Sequence, residues 1–249
     1  MRHIYAFESK EDYSKYEDII MKFSGKLANY QRVLEENFQL VDLPKAVVWT
    51  TTDLATSAFS DVPIPAYTNK DCIYFSPDLM SWRNLFLRQL DGKRHEGLEQ
   101  FFKTMNENHI FSILAHELTH HSDLFLDDFG DAREDGIWFE EGMCDYLSRK
   151  FTLNQEEFRE ISQAEVEIVD IFKENYGGHS LEEFGSGSYE DKLSRIMFDY
   201  HRSFLTIQYL VETLFSGDVM QVFKEYHKWD EAGRKVTLKE YFQVIDLFR

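Results

Sequence analysis

His116-Glu117-Leu118-Thr119-His120 constrains this chain more than any other run of residues. It is an H-E-x-x-H pattern, and it ends a segment, Ile110 to His120, with helical periodicity. On a helix, residues i and i+4 lie one above the other. The imidazoles of His116 and His120 therefore share a face, close enough to hold one small metal ion. Zinc takes nitrogen ligands at about 2.0–2.1 Å in tetrahedral geometry. Glu117 is the next residue round the helix, beside the metal rather than on it. That is where a general base for a zinc-bound water belongs. On a helical wheel Ile110, Phe111, Leu114, Leu118 and Phe125 fall on a core arc. Ser112, Ala115, Thr119, Ser122 and Asp123 form a small polar back. This pattern predicts a helix lining a cleft.

A catalytic zinc site needs a third protein ligand and an open position. The metzincin pattern places glycine three residues after the second histidine. Asp123 stands there instead, which excludes that branch. The next candidates lie in Trp138-Phe139-Glu140-Glu141-Gly142-Met143-Cys144-Asp145, after a connection rich in Asp and Gly. Glu140 and Glu141 are adjacent, and either can supply a carboxylate oxygen.

H-E-x-x-H, a gap of about 20 residues and then W-x-x-E-G resembles the gluzincin zinc peptidases, which include thermolysin and the leukotriene-hydrolase-like aminopeptidases. The resemblance implies Glu141 as third ligand, with Glu140 in the place of the aminopeptidases' asparagine. It implies Asp145, one helical turn beyond Glu141, as the carboxylate that orients a ligating histidine. It also implies that Tyr200, which opens Tyr200-His201-Arg202-Ser203 and precedes Tyr209-Leu210 by nine residues, donates to the oxyanion. Arg202 and Ser203 replace that family's lysine and glycine. Packing in a helical core stripe with Phe204, Ile207 and Val211 is the competing role for Tyr200. His201 and Tyr189 are lesser candidates for the same task. An edge strand beside the zinc pairs with substrate in these peptidases, and Ile73-Tyr74-Phe75-Ser76 is the candidate here.

All four prolines lie between Pro44 and Pro77, which concentrates the non-helical part of the fold there. Tyr13 to Phe38 keeps a helical spacing. Residues 46–51 and 72–76 read as strands, and nearly everything after residue 137 reads as helix. The expected class is α+β and gluzincin-like. A small mixed sheet occupies an N-terminal lobe (1–107), and the motif helix opens a mainly helical lobe (108–249), within a single catalytic domain.

The formal net charge is −18, which argues against binding nucleic acid or an anionic membrane, because a phosphate backbone needs a basic patch. The only cysteines, Cys72 and Cys144, form no C-x-x-C pair and are expected to be reduced thiols. Met1 to Lys10 has no apolar segment of the kind a secretory leader carries, and no run reaches membrane-spanning length. The expected location is cytoplasmic. The expected function is zinc-dependent hydrolysis of peptide bonds in a peptide or protein substrate. The aminopeptidases' G-x-M-E-N signature is missing, which favours an endopeptidase or oligopeptidase. The alternatives are a metal-binding scaffold without turnover, and a hydrolase of non-peptide amides or esters. A retained Glu117 argues against the scaffold, because a structural site has no use for a base.

Overall fold

The computed structural model describes residues 1–60, 62–127, 129, 135–185, 191–244 and 248. Strands β1 (Arg2–Ala6), β2 (Ala46–Thr50), β3 (Ala66–Thr68) and β4 (Cys72–Phe75) form one sheet in the order β1-β2-β4-β3. β2 pairs in parallel with β1 and β4, while β3 pairs antiparallel with β4. The helices are α1 (Lys10–Asn37), α2 (Thr52–Ser57), α3 (Leu79–Arg88), α4 (Glu96–Thr104), α5 (Glu107–Thr119), α6 (Ile137–Thr152), α7 (Gln155–Tyr176), α8 (Leu193–Tyr209), α9 (Val219–Glu231) and α10 (Leu238–Phe242). A π-helical turn, Leu210–Leu214, follows α8. The α+β class and the small mixed sheet are as expected. None of these helices is long and apolar enough to cross a membrane.

Two compact units divide the chain. The first comprises Met1–Asp123 and Leu147–Glu157. Its core joins α1, the sheet and α5 through Phe23, which meets Phe75 at 6.2 Å and Phe111 at 5.5 Å between ring centroids. β2 is wholly buried, so it reads as a continuous apolar run rather than an alternating one. β1 is largely exposed, and β3 is three residues long just after Pro63 and Pro65. Neither carries enough periodic signal to be read from sequence.

The second unit comprises Leu124–Tyr146 and Phe158–Arg249. Phe139 of α6 stacks on Tyr226 of α9 at 4.2 Å and on Phe242 of α10 at 6.0 Å. A buried Arg195–Asp199–Arg202 group braces α8, both guanidiniums sharing Asp199 Oδ1 at 2.7 and 2.6 Å.

Candidate metal centre

α5 starts where its sequence demands. The Asn106 side chain accepts from the backbone N–H groups of Asn108 and His109, and His109 answers as the other half of a capping box. The helix ends at Thr119, so His120 is its C-cap, with its N–H on the carbonyl of His116 at 3.4 Å. Beyond it Ser122 donates to the carbonyl of Phe38, and the N–H of Asp123 bonds the carbonyl of Gln39. These bonds lead the chain off the helical path. Phe125 therefore does not continue the core arc of α5; it packs against Phe223 at 5.6 Å. The small polar back of the helix is not a solvent face either. Ser112 and Thr119 are buried, and the Thr119 hydroxyl bonds the carbonyl of Ala115 and the hydroxyl of Tyr30, both at 2.8 Å. Short side chains with local partners let this face enter the core.

The Nε2 atoms of His116 and His120 face each other at 3.1 Å, His116 buried and His120 half-buried. Two nitrogens sharing one tetrahedral ion at 2.0–2.1 Å stand about 3.3 Å apart. The pair is thus already close to the spacing of two ligands on one metal. One ligand atom from each of His116, His120 and Glu141 lies within 4.8 Å of the others. Two imidazoles and one carboxylate form a donor set that suits zinc with a fourth position left open. Glu117, next to His116 in the same turn of α5, is buried.

Glu140 is buried as well, but its charge acts on Tyr226, whose hydroxyl pKa is pushed up first by burial and then by this carboxylate. Gly142 explains the small residue after Glu141. A Cβ there would lie 2.4 Å from the carbonyl oxygen of Ser203 and 2.7 Å from Ile207 Cγ1, so the main chain of α6 reaches the main chain of α8 only because this position is bare. Helix propensity alone would make Gly142→Ala stabilising by about 1 kcal/mol. Overpacking against a main-chain carbonyl costs typically 1–3 kcal/mol and wins here. The melting temperature should fall by several degrees; a rise on calorimetry would reject the close-approach account.

Asp145 lies half-buried one turn beyond Glu141 and is not among the three grouped donors. Tyr200 is half-buried on α8, its ring edge-on to Phe184 at 5.1 Å. His201 is turned to another partner, with Nδ1 3.1 Å from Glu165 Oε1, both residues buried. Tyr189 lies outside the described residues. Cys72 is half-buried and Cys144 buried, and neither is in a disulfide among the described residues.

The expected edge strand is corrected. Ile73, Tyr74 and Phe75 lie on β4, whose backbone is paired on one side by β2 and on the other by β3. A strand paired on both sides has no free main-chain groups for a peptide. β3 ends the sheet on that side and packs against α5. Thr68 of β3 meets His121 directly, Oγ1 to Nε2 at 2.8 Å. Burial, and then the neighbouring His120, lower the His121 pKa to about 3, which keeps this imidazole neutral at ordinary pH. His121 thus anchors the edge strand to the motif. Only the His120-His121 doublet hinted at such a residue in the sequence.

A helix carrying H-E-x-x-H, with a carboxylate completing a three-donor group, defines a zinc metallopeptidase. The family assignment agrees: residues 97–236, more than half of the chain, match the model of the collagenase peptidases, and the chain belongs to that family. It is a family of zinc metallopeptidases, and so of hydrolases. No curated protein and no solved structure matches the chain.

Proposed function

We propose that this protein is a zinc endopeptidase or oligopeptidase, with His116, His120 and Glu141 as ligands and Glu117 as general base. The observation that carries the proposal is the grouping of those three donors, with a buried glutamate next in sequence to His116. Zinc, when bound, supplies a Lewis acid and brings a water at its open position to a pKa of about 7. Glu117 takes the proton from the attacking water and returns it to the leaving amine. Asp145 holds a ligating imidazole in the productive tautomer, and Tyr200 donates its hydroxyl to the oxygen that gains charge. The narrower likeness to thermolysin and the aminopeptidases belongs to this proposal.

The substrate strand we assign is β3 rather than β4. An edge can take up an extended peptide through main-chain hydrogen bonds. Thr68 and His121 hold that edge to the end of α5. Missing aminopeptidase residues favour cleavage inside a chain over removal of its first residue.

The test is cleavage of a broad peptide library, collagen-type sequences included, with ends blocked or free. Blocked peptides should be cut internally, chelation should stop cleavage and added zinc should restore it. Trimming of free N-termini alone would reject the endopeptidase reading. In the same assay Tyr200→Phe should lower kcat by about 10²–10³ with KM nearly unchanged, since the bond forms mainly in the transition state. Normal kcat with a lowered melting temperature would make Tyr200 a packing residue.

A further inference from the structure

Arg234 lies far along the chain from the motif, yet it grips the connection that leads to the ligand helix. Each nitrogen of its guanidinium takes a different aspartate: Nη1 donates to Asp135 at 2.7 Å, Nη2 to Asp127 at 3.1 Å and Nε to Asp230 at 2.7 Å. Its charged carbon lies 5.0 Å from the centre of the Trp229 ring. The backbone is shaped for this. α9 ends through Gly233 at φ 82° and Arg234 at φ 48°, both left-handed, and the Arg234 N–H returns to the carbonyl of Trp229 at 3.2 Å. Trp229 is held in turn by its indole N–H on the carbonyl of Val236 at 2.8 Å. A non-glycine residue with positive φ is uncommon. This turn sends the side chain back along α9.

Asp127 and Asp135 flank the connection between the histidine helix and α6. Asp135 directly precedes Gly136, whose carbonyl accepts from Phe139 and Glu140 in the first turn of α6. Glu141 comes next, and Phe139 is already stacked on α9 through Tyr226. We propose that Arg234 is a positioning residue for the third metal ligand, fixing through Asp135 and Asp127 where α6 begins and hence where the Glu141 carboxylate stands. The proposal rests on the assignment of Glu141 as a ligand. Three carboxylates around one guanidinium repel one another once it is removed, so its loss drives the ends of the connection apart. Lysine keeps the charge but not the planar fork that serves three partners at once.

Zinc affinity by competition with a chromophoric chelator, and melting temperature with and without zinc, test this. Arg234→Gln should weaken zinc binding about 10–100-fold, the range found when groups supporting a metal ligand are removed. It should also shrink the rise in melting temperature that zinc confers. Arg234→Lys should fall between it and the wild type. Asp135→Asn, which leaves two of the three bonds in place, should show the same defect in milder form and covers failure of the glutamine variant to fold. A merely structural arginine lowers the melting temperature of the metal-free protein and leaves zinc affinity per folded molecule intact. That result would overturn the proposal while the zinc site stands. A wild-type protein that binds no zinc would overturn the metal site and this proposal with it.

Discussion

Glu117→Gln should retain about one zinc per chain and lose turnover by about 10²–10⁴-fold, the contribution typical of a positioned general base. The substitution replaces one carboxylate oxygen by an amide nitrogen and leaves the volume almost unchanged. Glu117 is 7% exposed, so it sits where packing tolerates little else. An amide does not accept a proton at neutral pH, and the attacking water then has no base. Zinc content should hold, because the three grouped donors are His116, His120 and Glu141. The loss should appear in kcat and kcat/KM alike, as expected for a group that acts in the transition state. Elemental analysis and steady-state kinetics on one preparation decide the matter. Near-normal kcat with full zinc would remove Glu117 as the base.

Glu141→Gln should weaken zinc binding by more than about 100-fold, beyond what loss of a supporting residue costs. His116→Ala and His120→Ala should do the same. A neutral amide is a poor ligand for a divalent ion, and two imidazoles alone leave the site incomplete. Glu140→Gln is the matched control: the same chemistry, one position earlier on the same helix, on a residue whose carboxylate acts on Tyr226. It should keep its zinc. Equal affinity in the two glutamine variants, measured by chelator competition, would reject Glu141 as the ligand.

The motif was legible because its chemistry is local. One turn of helix suffices to bring His116 and His120 together, and their 3.1 Å separation needs no distant residue. The carboxylates of α6 were legible as a pair; the resemblance implied Glu141 as the ligand, while adjacency on a helix by itself did not separate the two. Successive residues on a helix point about 100° apart, so one of the two must turn away, and the surroundings decide which. Glu141 falls with the histidines, and Glu140 acts on Tyr226 of α9.

Strand order could not be read the same way. The apolar run at residues 72–75 marks β4 as a strand, but edge or interior depends on which segments pair with it. Here the short β3, just after two prolines, takes the outer place. The same distance in sequence hid Thr68 against His121, Ser203 against Gly142, and Arg234 against Asp127 and Asp135. Each is a contact between residues more than 50 positions apart, and no periodicity encodes it. By itself, then, the sequence determined a helix with two histidines and a glutamate on one turn, because helix geometry repeats within five residues. Which carboxylate joins them, which strand offers its edge and which arginine grips the connection were decided only when the chain packed, because each depends on partners that only the fold brings near.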